Sequence, residues 1–383
     1  MLTLPIAIYI GIRALKIVSQ LFPIPKKRVG LIIFALILWI YILPIIYIIY
    51  HLTGNLPSLF VYSHNMGWQD YLMLFPNWCG IIIILEIFPI LLALDILGLF
   101  PFTLKVRRLL IYLKLAIIIF FLVFVPLRSY YDSNRIKTTT HYIKIKGLPQ
   151  AFRNLSLVFL GDIHVDRYTQ SKKLKKVKNT LQSKGTDMFL FSGDLISRGR
   201  KFIAQGLELM SNPKHKIASI ACMGDHDYWT DPQKIQTTLQ KTGWTFLKNS
   251  HQLFPYQGHQ ILVTGITHIY SQRISSGRLK GVLANAPEAE LKILLVHQPS
   301  EFLIKMAAKY KYNLVLGGHT HGGQIVFHPL GIPLNPNQME TPFYRGRYLV
   351  HKTNVVITNG IGLTLAPLRY CAPAEITKIV ISD

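Results

Sequence analysis

Five short fragments place acids and imidazoles beside glycines: Gly161-Asp162-Ile163-His164, Ser192-Gly193-Asp194, Gly224-Asp225-His226-Asp227, Val296-His297-Gln298 and Gly317-Gly318-His319-Thr320-His321-Gly322-Gly323. Asp162 and His164 are two residues apart, so in extended backbone both side chains turn to one face and can share an ion. His319 and His321 repeat that spacing. Asp194 closes another apolar run, and its two carboxylate oxygens can bridge two cations. Mixed carboxylate and imidazole ligands suit Mn, Fe, Zn or Co better than Ca or Mg. Two such ions roughly 3.5–4 Å apart activate a water and hold the attacking and leaving oxygens of a phosphoryl transfer. The glycines permit backbone angles that other residues resist and let substrate oxygens approach the chain.

The fragments need elements that deliver them to one place. Short apolar runs at 155–160, 188–191, 217–222, 293–296 and 313–316 precede them, and 261–263 has the same form. Runs of this length ending in glycine predict buried strands of a layered α/β domain. Sites in such folds lie at the carboxyl ends of the strands. Residues 171–183 predict a helix with Leu174, Val177 and Leu181 on one face. Residues 348–357 and 374–381 predict late strands.

The first third of the chain is different. Val29 to Tyr50 is about 22 apolar residues, roughly 33 Å of helix, enough to cross a bilayer core of about 30 Å. Segments 79–100 and 109–127 are further spans. Segment 2–22 is a fourth, or an interfacial helix, because it carries Arg13 and Lys16. The domain plan is therefore a helical transmembrane region at 1–130, a linker and first strand at 131–149, and a soluble domain at 150–383. By the positive-inside rule Lys26-Lys27-Arg28 and Lys105, Arg107 and Arg108 mark cytoplasmic loops, which puts the stretch 51–77, without Lys or Arg, and the soluble domain outside. Arg128, Arg135 and Lys137, just past the last span, weigh the other way, so the loop charges leave the side open. Glu86, Asp95 and Lys114 fall inside spans; charge pairing between helices is the expected role, and a transport path the alternative.

The formal charge of +24 favours anionic partners. No nucleic-acid-binding motif is present, and no specific protein partner is implied, which leaves lipid surfaces and phosphorylated substrates. Lys172, Lys173, Lys175, Lys176 and Lys178 make a basic helix face, solvated or turned to anionic lipid. Three cysteines are too few for a disulfide framework and leave at most a single Cys222–Cys371 bridge.

The series of five fragments resembles the calcineurin-like metallophosphoesterase superfamily, whose pattern runs D-x-H, G-D, G-N-H-[DE], H, G-H-x-H. His319-Thr320-His321-Gly322-Gly323-Gln324, Gly360-Ile361-Gly362 and Pro367-Leu368-Arg369 resemble its membrane-associated, YkuE- and YaeI-like branch. The resemblance covers about 150–383 and implies a four-layer αββα sandwich, here preceded by transmembrane helices. It implies two divalent ions, one held by Asp162, His164 and His321, the other by Asp225, His297 and His319, with Asp194 between them. It gives His226 a place near the leaving-group oxygen, as general acid or electrostatic support. Arg369 and Arg345 are candidate substrate-phosphate contacts.

One position departs from the pattern: Asp225 stands where the family has Asn. The extra charge should tighten one metal while lowering its Lewis acidity. Two readings follow. One is a phosphoesterase of the bacterial cell membrane, hydrolysing a phosphate ester or pyrophosphate of an amphiphilic substrate; the branch implies UDP-2,3-diacylglucosamine of lipid A synthesis as an example. The other is a catalytically weakened, metal-binding membrane scaffold. Asp227 is expected to cap a helix, and His268 to be a core residue or to stand at the pocket rim.

Overall fold

The computed structural model describes residues 2–53, 66–169 and 172–382. Much of the stretch 51–77 therefore lies outside the described residues. The chain forms two compact units.

The first unit is built on helices α1 (Leu4–Leu21), α2 (Lys26–Thr53), α3 (Phe75–Leu97) and α4 (Leu104–Asn134). Four helical stretches among the described residues are long and apolar enough to cross a membrane. A helix apolar all round has no polar face to give to water, which is the composition lipid selects. The charges among them are paired. Asp95 accepts from Lys114 Nζ at 2.6 Å and forms an ion pair with Arg13, whose Nε is 2.5 Å away, and the Tyr9 hydroxyl also donates to it. Glu86, 1% exposed, accepts the His328 N–H at 2.9 Å and a hydrogen bond from Tyr370. Arg13 thus has a partner inside the bundle, and the expected pairing role holds for Asp95 and Lys114.

Residues 325–335 and 366–371 also belong to this unit. Ile325, Ala366, Leu368 and Tyr370 form one cluster with Ile82 and Val125 of α3 and α4. The soluble domain is therefore not the continuous 150–383 expected from sequence. Two of its loops are apolar enough to pack with the membrane helices instead.

The second unit contains strands β1 (Ile136–Lys144) and β2 (Ser156–Leu160), helix α5 (Lys172–Leu181), β3 (Met188–Phe191), α6 (Ile203–Met210), β4 (Ala218–Ala221), α7 (Asp225–Thr230), α8 (Pro232–Lys241), β5 (Thr245–Phe246), β6 (Ser250–Tyr256), β7 (His259–Ile266), α9 (Ser276–Ala284), β8 (Leu291–Val296), α10 (Glu301–Lys309), β9 (Leu314–Gly317), β10 (Gly346–Val350), β11 (Thr353–Ile357) and β12 (Ala374–Ser382). They make two six-stranded mixed sheets, ordered β1-β12-β2-β3-β4-β5 and β10-β11-β9-β8-β7-β6. Leu157, Phe159 and Leu190 of one sheet meet Val263, Leu295 and Leu316 of the other in a shared core. The first sheet's outer face is covered by α5, α6 and α8 through Val177, Leu207 and Leu239. Leu283 of α9 and Ile304 of α10 cover the second. This is the four-layer αββα sandwich. Part of the expected linker is strand: β1 pairs in parallel with β12 from Ile136↔Ala374 to Lys144↔Ser382. Cys79, Cys222 and Cys371 are all free thiols, so there is no Cys222–Cys371 bridge.

The ion pairs in the helical unit give a direct prediction. Asp95→Ala strands Lys114 and Arg13 among apolar helices and should destabilise the detergent-solubilised protein by about 3 kcal/mol, the low end for breaking a buried pair. Asp95→Ala with Lys114→Ala and Arg13→Ala should recover part of that loss in Tm. An unchanged Tm in Asp95→Ala would show that the pairs contribute no stability.

Candidate metal centre

Strands β2, β3, β8 and β9 deliver their carboxyl ends side by side, because each pairs in parallel with its neighbour in its own sheet. The residues that follow leave the strands sharply. Asp162 (φ 50°), His164 (46°), Asp194 (58°), His319 (69°) and His321 (51°) are all left-handed. Non-glycine residues there carry about 1–3 kcal/mol of strain each and persist only where neighbours hold them.

The neighbours are identifiable. The N–H of Asp162 donates to Gly193 O at 2.9 Å and that of His164 to Asp194 O at 3.0 Å. Asp162 Oδ1 and Oδ2 accept the His319 N–H at 2.8 and 3.0 Å. Asp162 O accepts the N–H groups of Ile361 and Gly362. Asp227 Oδ2 accepts from Asp194 N–H at 2.8 Å, and its Oδ1 from Leu195 at 2.8 Å and Ile196 at 3.2 Å. Gly193 and Gly224 are glycines of necessity: a Cβ on Gly193 would strike the backbone of Gly224, and one on Gly224 the carboxylate of Asp194.

All seven sequence-predicted ligands come together. Ligand atoms of Asp162, His164 and His321 lie within 4.8 Å of one another, and so do those of Asp225, His297 and His319. Asp194 joins Asp162 and His297 in another such group, and His164 and His226 in a fourth. His164 Nε2 and His297 Nε2 each stand 3.3 Å from Asp194 Oδ2. His297 Nε2 and His319 Nδ1 each stand 3.4 Å from Asp225 Oδ2, and His321 Nε2 is 3.1 Å from His164 Nε2.

The fit to a cation can be tested on His297. Its Nδ1 faces the carbonyl of Ser192 at 3.1 Å, an acceptor, so Nδ1 carries the proton. In the neutral ring Nε2 then presents a lone pair to two carboxylates, buried and without a hydrogen-bond partner. Only a proton or a cation relieves that. Burial opposes charge on His297, but the nearby charge of Asp194 raises its pKa well above the usual imidazole value. Burial raises Asp194, but His297 and His164 together hold it well below the carboxylate range. Burial lifts Asp162, with Asp194 adding to it. Three buried carboxylates converging on imidazole nitrogens are a donor set that fits divalent ions.

The off-pattern Asp225 sits in surroundings made for a carboxylate. It is fully buried. Oδ1 accepts the Tyr270 N–H at 2.6 Å and Oδ2 accepts from Gln298 Nε2 at 2.8 Å. An Asn here would have to point its NH2 at one of two donors, tolerable only if the Gln298 amide turned over.

His226, on α7, donates from Nδ1 to Ser197 O, leaving Nε2 for other contacts. Burial and the nearby His164 lower its pKa. Asp227 caps the start of α7 as expected, from the third helical position, where its Oδ2 accepts the Gly224 N–H at 3.4 Å; the same carboxylate also gathers the backbone of the Asp194 loop. Burial and Asp194 push its pKa up to about 6. His268 is half-buried, its pKa lowered by burial and then by Arg273. Arg345 lies over the Tyr344 ring. Arg369 has no exposed surface and falls with its segment in the helical unit. Lys172, Lys173 and Lys176 line a cleft of about 240 Å³ with Arg135, so part of the basic helix face is concave rather than a plain solvated surface.

Sequence reasoning missed a group around His319. Its Nε2 lies 3.3 Å from the Tyr270 hydroxyl and 3.5 Å from Glu340 Oε1, and the hydroxyl donates to Glu340 Oε2 at 3.1 Å. Tyr270 and Glu340 sit in loops without motif residues, so only the folded chain brings them in. Carboxylates behind a ligating imidazole fix its orientation and basicity.

Comparison with known proteins agrees with this geometry. Residues 155–323 match the calcineurin-like phosphoesterase family. The chain is 27% identical to the metallophosphoesterase YkuE of Bacillus subtilis over 258 residues, 66% of this chain and 88% of that protein. It is 29% identical to the transmembrane protein with metallophosphoesterase domain of Danio rerio, over 63% of this chain and 56% of that one. A Campylobacter jejuni metallophosphoesterase matches at 25%, over 81% of this chain and 80% of its own length. The chain carries a calcineurin-like metallophosphoesterase domain. That family hydrolyses phosphoesters, and in this chain the domain is preceded by helices long and apolar enough to cross a membrane.

Two measurements check the centre without activity. Chelation should lower Tm, since an ion at about 100 times its Kd adds about 2.7 kcal/mol. Glu340→Ala should weaken Mn²⁺ binding in calorimetry about 10-fold, and Glu340→Gln by less; equal affinity in all three proteins would remove Glu340 from the site.

Proposed function

We propose that this chain is a membrane-anchored phosphoesterase working with two divalent ions, and that its substrate is an amphiphilic phosphate ester or pyrophosphate. Asp162, His164 and His321 would hold one ion, Asp225, His297 and His319 the other, with Asp194 between. The reading is carried by the lone pair of His297 Nε2 facing two buried carboxylates. When bound, the ions supply Lewis acidity and an activated water.

The remaining work falls to the chain. Asp227 and Asp162 hold the ligand loops in their strained conformation before any ion arrives. The Nδ1 bond of His226 to Ser197 O leaves Nε2 as the atom that can meet a leaving oxygen, as general acid only in the imidazolium form and otherwise through its ring dipole. Tyr270 N–H and Gln298 hold the Asp225 carboxylate in orientation. The tether and the net charge of +24 favour a lipid-linked anionic substrate, and the bacterial cell membrane is the proposed location. UDP-2,3-diacylglucosamine is one substrate of that class, and Mn²⁺ the first ion to try.

Purified full-length protein with Mn²⁺ should hydrolyse bis(p-nitrophenyl) phosphate. Asp194→Ala should lower kcat/KM by at least about 10³, the scale of losing one major electrostatic contact. Turnover untouched by Asp194→Ala would defeat the two-ion reading. Asp225→Asn should reduce turnover, because it sets an amide against two donors; an inactive wild type rescued by Asp225→Asn would instead support a weakened scaffold.

A further inference from the structure

Residues 325–335 leave the metal-ligand loop and join the helical unit, and their chemistry suits lipid. No Asp, Glu, Lys or Arg occurs in this stretch, in a chain of net charge +24. Phe327 and Leu334 exchange N–H···O bonds of 2.9 and 2.8 Å and close a hairpin. Its tip, Pro329–Gly331, holds Leu330 at φ 54°. Leu330, Ile332 and Leu334 are 66%, 60% and 48% exposed to whatever surrounds the protein. Large apolar side chains clustered on an uncharged tip are costly in water and favourable in hydrocarbon.

The backbone points the same way. Irregular chain enters a membrane only where its polar groups are satisfied by protein. The Val326 N–H donates to Tyr370 O, Gly331 to His328 O and Ile332 to Pro329 O, while Pro329 and Pro333 have no N–H. The His328 N–H donates to Glu86, a carboxylate on the membrane helix α3. That accounts for an acid inside a span: it satisfies a hairpin lying at the same depth.

We propose that the hairpin Ile325–Asn335 is embedded in the bilayer interface, with Leu330 and Ile332 among acyl chains. Ile325 is four residues beyond the candidate ligand His321, and Ala366 is four beyond Gly362, whose N–H holds Asp162. Four residues span at most about 14 Å. Both loops of the site are thus leashed to the lipid boundary, and the substrate phosphate would be that of a lipid resident in the bilayer. This last step rests on the hydrolase reading; the embedding does not.

The test uses the full chain in nanodiscs, with Cys79→Ala and Cys371→Ala, Cys222 being fully buried. A fluorophore on Leu330→Cys or Ile332→Cys should be quenched at least twofold by brominated acyl chains. The same label on Leu349→Cys, equally exposed on β10, should not respond. No difference among the three overturns the embedding, as does a label shielded from iodide yet untouched by bromolipid, which would mean a protein covers the tip. In a second arm, Leu330→Asp with Ile332→Asp should keep soluble phosphodiester turnover within twofold and lose at least tenfold on a vesicle-borne phospholipid. Equal rates on both overturn the lipid substrate. If the wild type hydrolyses neither, the hydrolase reading fails while the quenching result stands.

Discussion

The site depends on backbone strain held by carboxylates. Five candidate ligands leave their strands at φ between 46° and 69°. No one of these turns would be stable alone. Asp162 gathers the His319 amide with its side chain and the Ile361 and Gly362 amides with its carbonyl. Asp227 gathers three amides of the Asp194 loop. The loops therefore lock one another, and ligand atoms from both sheets converge because the backbone is fixed first.

This explains why acids outnumber what metal binding alone would need. Asp227 ligates nothing in any of the groups that could hold an ion, yet it is as deeply buried as those that do. Asp225 is similar in part: its oxygens are shared between candidate coordination and the amides of Tyr270 and Gln298. A buried carboxylate surrounded by donors is fixed in place, and one side chain then serves both purposes.

Much of the site was legible in sequence because it lies at strand ends. Apolar runs ending in glycine mark where strands stop, and the next residues must point into the crevice, as Asp162, Asp194, His297 and His319 do. Tyr270 and Glu340 were not legible, since they arrive from loops whose sequence shows no period or motif. Nor was the second role of Asp227: an acid beside a helix start looks like a cap, and only the fold reveals that the Asp194 loop lies within its reach. The hairpin 325–335 was hidden for a different reason. Hydropathy detects spans by length, and eleven uncharged residues are too short to register, although their partners on α3 and α4 place them in the helical unit. Glu86 and Asp95 looked alike as charges inside spans; one meets a backbone amide, the other two cationic side chains.

The parallel pairing of β1 with β12 has a consequence for synthesis. The strand that follows the last membrane helix waits for a partner 238 residues later, from Ile136 to Ala374. At about 5–20 residues per second, the ribosome delivers that partner roughly 12–48 s afterwards. Glu375 of the same late strand donates its N–H to Gly360 O, beside the turn that holds Asp162. The sheet edge and the support of the candidate ligand loops are therefore completed together, once this late strand has been made. A nascent chain therefore has no finished ligand cluster until Ala374–Ser382 has emerged to pair with β1.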